Sequence, residues 1–244
     1  IDLTVTKIFE NNVLQFLQVN DLQGNYEMHR VGKRIIRKKI TLNNTGVTDL
    51  GKWNRFTLDL ATLITTEPGA IYQIKIGFKR AYSVYHCDGE EPNVNEETTF
   101  DEEESISYGY YDGEYYEDDY YYYDDYDWDE RDNPCNNSYY YGSRRDITKN
   151  VLASDLGLIA KKGTGGTTLV IVTDLRTTAP VSGATITLYD FQQQVLETGV
   201  TGTDGKIVFS NKEESFALVA QQGTQRGYLK LYDGLSLSLS QFDV

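Results

Sequence analysis

Few residues in this chain have the type and spacing needed for chemistry. The two histidines, His29 and His86, fall in different predicted strands, and neither sits in a nucleophile motif. There is no G-x-S-x-G, no H-E-x-x-H and no phosphate-cradling loop. Lys162-Gly163-Thr164-Gly165-Gly166 is rich in glycine but lacks the closing Gly-Lys-Ser/Thr, so it reads as a hairpin turn. Asp125, Asp127 and Asp129 alternate, and their carboxylates are the hard oxygen ligands that Ca²⁺ prefers. They are weak calcium candidates, because Arg131 and Asp132 follow where an EF-hand needs other residues. We therefore assign no catalytic residue, no firm metal site and no cofactor, and we expect no enzyme.

The remaining reactive pair is Cys87 and Cys135, the only cysteines in 244 residues. They flank a low-complexity segment of tyrosine and acid. Residues 88–142 hold 20 of the 37 acidic residues and one base, Arg131. That segment carries −19 against a net −14, so the rest of the chain is +5. A disulfide at its two mouths would close a loop worth roughly 4 kcal/mol in the chain-entropy model. It would also place the chain in an oxidising compartment. The alternative is two unrelated free thiols.

Tyr115, Tyr116, Tyr120, Tyr121, Tyr122, Tyr123, Tyr126 and Trp128 are the candidate partner-binding residues of this insertion. Tyrosine gives contact area at low entropic cost, which suits a recognition surface. Two other readings stay open: a solvated, disordered loop, and an intramolecular cover over the basic run Lys33–Lys39 with Lys75, Lys79 and Arg80. Nucleic acid is not an expected partner, because the basic run is short and the acidic segment lies in the same domain.

The elements that must position these residues read as strands. Leu3–Ile8, Val13–Val19, Ile35–Leu42, Trp53–Leu60 and Ala70–Tyr85 are the predicted strands of the first part, with one helical turn over Asp59–Thr65. In Ala70–Tyr85, Ala70, Tyr72, Ile74, Ile76 and Phe78 fall on one face. The basic run reads as an edge strand protected by its lysines. In the second part, Gly157–Ala160, Thr168–Thr173, Thr185–Tyr189, Val195–Thr201, Ile207–Phe209, Phe216–Ala220 and Tyr228–Leu231 are separated by Gly, Asp and Pro turns. That is the pattern of a β-sandwich. The chain opens on Ile1 and not on Met, as expected of a processed product or a piece of something longer. No apolar run approaches the length of a membrane span, and no signal peptide is present.

Ser154-Asp155-Leu156-Gly157-Leu158, Val172-Thr173-Asp174-Leu175-Arg176-Thr177 and Pro180-Val181-Ser182-Gly183-Ala184 occur in that order, followed by Thr203-Asp204-Gly205 and Phe242-Asp243-Val244. Together they resemble an early macroglobulin domain of the bacterial alpha-2-macroglobulin-like proteins. Trp53–Leu60 and Glu67–Tyr72 resemble the preceding domain in Bacteroidetes-type members. The resemblance implies an all-β fold of two tandem antiparallel macroglobulin/Ig-like β-sandwich domains, residues 1–148 with the insertion at 88–142, and residues 149–244.

It further implies an exported parent, periplasmic or on the cell surface and lipid-anchored, that traps proteases or defends the envelope. Its partners would be a protease or an envelope or surface protein, together with the parent's other domains, and it would touch a membrane only through an anchor outside this stretch. The family's thioester motif, C-x-E-Q, is matched by neither Cys87-Asp88-Gly89-Glu90 nor Cys135-Asn136-Asn137-Ser138. The expected role is thus a non-catalytic scaffold and recognition fragment. The alternative is a module of a surface assembly or adhesin-like array that docks a partner through its insertion.

Overall fold

The structure is a computed structural model, and it describes residues 1–42, 52, 54–83, 85–87, 126–140, 146–163, 165–210 and 213–231. The chain divides into two compact units, each discontinuous in sequence. The first comprises Ile1–Lys7, Gly32–Ile64 and Tyr72–Val151, and the second Ile8–Val31, Thr65–Ile71 and Leu152–Val244. Residues 8–31 and 65–71 cluster with the C-terminal part, because apolar side chains from them, Ile8, Phe16 and Ile71 among them, share a core with Phe216 and Ala217.

The first unit is built on a sheet of four strands, β1 (Asp2–Ile8), β2 (Gly32–Lys39), β3 (Ile71–Gly77) and β4 (Asp146–Leu152), in the order β2-β1-β3-β4. Leu3 and Val5 alternate with polar residues in β1 and are fully buried, as a half-buried strand requires. β2 is an edge strand among the described residues, as the lysine-rich run suggested. β3 is shorter than the expected Ala70–Tyr85. It stops at Gly77 and gives way to a 3₁₀ turn at Arg80–Tyr82. The 54–59 part of the expected strand Trp53–Leu60 forms no strand, and Trp53 lies outside the described residues. A 3₁₀ turn follows at Leu60–Thr62, where the Asp59 carboxylate accepts from the Ala61 N–H.

The second unit holds two α-helices, a 3₁₀ turn at Glu10–Asn12 and seven strands among its described residues. Val13–Val19 is an α-helix, α1, and not the expected strand. Its apolar residues Val13, Phe16 and Leu17 follow helical spacing and all face inward. A single-turn helix, α2 (Met28–Val31), carries His29, which therefore is not on a strand; His86 also lies outside any strand. The α1 and α2 side chains pack with Ile8, Ile71, Phe216 and Ala217 in one core.

The seven strands are β5 (Leu156–Lys162), β6 (Thr168–Asp174), β7 (Thr185–Tyr189), β8 (Val195–Val200), β9 (Lys206–Phe209), β10 (Ala217–Gln222) and β11 (Gln225–Lys230). They form two sheets, β11-β10-β7-β8 and β5-β6-β9, in which every neighbouring pair is antiparallel. Val170, Val172 and Phe209 from one sheet meet Ile186, Leu188, Leu218 and Ala220 from the other in a second core. Each of the larger of these side chains is worth about 1.5–3 kcal/mol on burial.

The turns were legible because each uses a named device. Asp174 accepts from the backbone N–H and hydroxyl of Thr177 and the N–H of Arg176, which holds its carboxyl below the usual range. At the Pro180–Ala184 corner, the buried Thr201 hydroxyl accepts from the Ala184 N–H and donates to the Val181 carbonyl. The Gly163 N–H donates to the Thr167 carbonyl and closes the β5–β6 hairpin, so the Gly-rich stretch is a turn.

Candidate functional site

The first unit contains the root of the acidic insertion. Cys87 and Cys135 form a disulfide across 48 positions, with Cα atoms 5.7 Å apart. The link ties the residue that leaves the sheet after β3 to a compact segment, residues 126–140, that precedes β4.

That segment folds as turns, ending in a 3₁₀ turn at Asn137–Tyr140. Glu130, Asn133, Asn136 and Tyr139 each donate a backbone N–H to the carbonyl three residues back, at 3.0–3.3 Å, giving a succession of four turns. Three of them are reinforced by short side chains. Asp127 accepts from the Asp129 N–H, Asn133 from the Cys135 N–H and Asn136 from the Ser138 N–H, each at 2.9 Å. This is the Asx-turn chemistry that makes Asp and Asn favour turns. The two ends are then joined, because the Asp127 N–H donates to the Ser138 hydroxyl at 2.8 Å and Ser138 is almost fully buried.

Tyr140 seats the root on the sheet. Its ring is buried, lies 6.1 Å from that of Phe78 just past β3 and 5.0 Å from that of Tyr139. Its hydroxyl donates to the Pro134 carbonyl at 2.8 Å, so the polar tip is satisfied.

What this platform presents is aromatic and acidic. Trp128 is 67 % exposed. The Tyr126 ring meets it edge-to-face at 5.7 Å. The Arg131 guanidinium lies 5.2 Å from the Trp128 ring centroid and donates to the Trp128 carbonyl. Asp127, Asp129, Glu130 and Asp132 surround this group in sequence, and Arg131 offsets one of them through a 3.6 Å contact with Asp132. The site thus offers a preset indole with carboxylates near it, a surface able to take up a partner's apolar or cationic group.

Of the residues proposed from sequence, Tyr126 and Trp128 are brought together here. Tyr115, Tyr116, Tyr120, Tyr121, Tyr122, Tyr123 and the calcium candidate Asp125 lie outside the described residues. Asp127 uses a carboxylate oxygen on the Asp129 backbone, and no cluster of three potential metal ligands occurs among the described residues. Sequence reasoning missed Arg131, Ser138, Tyr140 and Phe78. The three-residue spacing of Trp128 and Arg131 and the Asp/Asn rhythm of 127, 133 and 136 were the available signals.

The basic groups divide into two sets. Lys75 pairs with Asp146 at 3.1 Å and Lys79 with Asp2 at 3.0 Å, and Lys39 lies 4.9 Å from the Tyr82 ring centroid. Lys33, Arg34 and Lys38 of β2 have no ion-pair partner among the described residues. No helix among the described residues is long and apolar enough to cross a membrane.

Residues 153–244 match the family described as "Bacterial alpha-2-macroglobulin MG3 domain". This part of the chain is thus similar to a bacterial alpha-2-macroglobulin macroglobulin domain. No curated protein matches the chain. Two solved structures are similar, both of native alpha-2-macroglobulin from Escherichia coli. The one spanning domains MG0-NIE-MG1 is 11% identical with a TM-score of 0.49, covering 95% of this chain and 54% of that one. The one spanning domains NIE-MG1 is 12% identical with a TM-score of 0.51, covering 94% of this chain and 82% of that one. The chain thus spans about half the length of the first, and the likeness to the second is one of fold.

Proposed function

We propose that this chain is a non-catalytic scaffold and recognition fragment of an exported, Bacteroidetes-type alpha-2-macroglobulin-like protein, in which the acidic tyrosine-rich insertion docks a protein partner. The observation that carries the reading is the build of the insertion's root. A disulfide, a run of side-chain-supported turns and a buried Tyr140 all serve to hold Trp128 outward in one orientation. An exposed indole held in place suits a docking role, since aromatic anchors of this kind concentrate interface energy.

In the parent, the role would be protease trapping or envelope defence, with residues 149–244 as one macroglobulin domain of a longer array and residues 1–148 as the domain before it. The disulfide supports an oxidising compartment, periplasmic or at the cell surface, with any lipid anchor outside this stretch. The second reading is a module of a surface assembly, and the same exposed Trp128 would serve it. The parent's downstream sequence separates the two: a C-x-E-Q thioester favours the inhibitor, and further Ig-like repeats favour the assembly.

The test is affinity capture from an envelope extract with the intact chain and with Trp128→Ala. A partner retained by the intact chain and lost with Trp128→Ala, while the thermal midpoint is unchanged, supports the proposal. Equal capture by both chains would remove Trp128 from it.

A further inference from the structure

β2 has one side of its backbone against β1 and no strand on the other side among the described residues. Five of its eight residues are basic and none is acidic: Gly32-Lys33-Arg34-Ile35-Ile36-Arg37-Lys38-Lys39. Strand alternation puts Lys33, Ile35, Arg37 and Lys39 toward one face and Arg34, Ile36 and Lys38 toward the other. Both faces of the edge therefore carry positive charge. Lys33, Lys38 and Lys39 are exposed, and Ile35 is 38 % exposed between Lys33 and Arg37. The neighbouring cations Lys75 and Lys79 have carboxylate partners, whereas Lys33, Arg34 and Lys38 have none among the described residues.

Lysines on an edge keep other strands away, but that exclusion depends on the sign of the incoming chain. A basic strand is repelled, and a neutral one must desolvate the β2 cations without return. An acidic strand meets them with opposite charges across the ladder, each pair favourable, and completes the backbone hydrogen bonds of the edge. The basic edge thus works as a filter that admits one class of strand.

We infer that the edge of β2 left uncovered by the described residues is a strand-addition site for an extended acidic segment of a partner protein, with acids on both faces and an apolar residue beside Ile35. This is independent of the Trp128 surface and goes beyond it.

The probe is a short labelled peptide of Glu with a single central Val, which places acids on both faces of the strand, compared with its Lys-for-Glu counterpart and with a copy N-methylated at alternate amides, against the full chain. The Glu peptide is expected to bind, more weakly as salt rises, and to slow hydrogen exchange at alternate β2 amides. The triple variant Lys33→Glu, Arg34→Glu, Lys38→Glu is expected to bind at least about tenfold more weakly. The N-methylated copy keeps the charge and loses the pairing, so its failure to bind supports strand addition even if the triple variant does not fold. Equal binding of the N-methylated copy would show charge adherence alone, and equal binding of the Lys peptide would show no filter. Binding that appears only once residues 88–125 are removed would mean that the chain's own insertion holds the edge. Each of these three results overturns the inference, as does an absence of binding at low salt with and without residues 88–125.

Discussion

The Nζ of Lys230 lies 3.0 Å from the carbonyl oxygen of Asn20, 210 positions earlier in the chain. It is one of three such contacts from alternate residues of β11. The Tyr228 hydroxyl donates to the Glu10 carbonyl at 3.3 Å, and the Arg226 guanidinium pairs with the Glu10 carboxylate at 3.7 Å. Residues at positions two apart share one face of a strand, so a single face of β11 holds the segment that contains α1.

The apolar side of that segment matters more for stability than its polar clasp. Phe16 is fully buried in the core it shares with Phe216 and Ile71. Phe16→Ala is expected to cost about 3–5 kcal/mol, and Lys230→Met less, about 1.5–3 kcal/mol, the range of a hydrogen bond from a charged group. Urea denaturation of the full chain measures both. An isolated 149–244 fragment should bind a hydrophobic dye, because it lacks α1 and α2 over Phe216.

Tyr228 makes the same unit sensitive to alkali. Burial pushes its phenol up to about 12 from an ordinary 10. Between those values the unfolded chain loses the proton first, so the native state binds more protons and stability falls as pH rises. The contribution is fully present below pH 10 and is lost as the pH climbs through about 12. Tyr228→Phe should flatten this alkaline decline, as read from denaturation midpoints taken across that range.

Removing the Cys87–Cys135 link, by Cys87→Ser with Cys135→Ser, frees a loop of 48 positions. The expected loss is about 2–4 kcal/mol, confined to the first unit. Hydrogen exchange should rise across β1 to β4 and over residues 126–140 and stay unchanged in β5 to β11.

Gly205 has a φ of +70° and faces the β6 backbone. A Cβ there would lie 2.6 Å from the Val172 carbonyl oxygen and 2.9 Å from the Pro180 Cβ. Gly205→Ala should destabilise the second unit by about 2 kcal/mol or more, combining left-handed strain with the clash. Gly165→Ala is the control, since it shares the positive φ and meets no neighbouring atom within 4 Å. The difference between their thermal midpoints isolates the contact.

Legibility followed the local character of each signal. β5 to β11 could be read residue by residue because apolar alternation and Asp, Gly and Pro turns are encoded within a few positions. The disulfide was legible as one of two alternatives, because only two cysteines exist and they flank a change in composition. Val13–Val19 was misread because a seven-residue apolar run suits a buried strand and a short helix alike. Its i, i+3, i+4 pattern at Val13, Phe16 and Leu17 was present, but the surface it had to match comes from Phe216 and Ile71.

By itself, then, the sequence determined the strand-rich class, the sandwich of β5 to β11, the basic edge of β2 and the isolation of charge in one insertion. These depend on periodicity, turn residues and composition, which are local. Tertiary structure alone decided that α1 belongs with the C-terminal strands, that Tyr140 anchors the insertion's root on Phe78 and that Trp128 is left outward beneath Arg131. These depend on which apolar surfaces remain uncovered once the strands have paired, and that is a property of the whole fold.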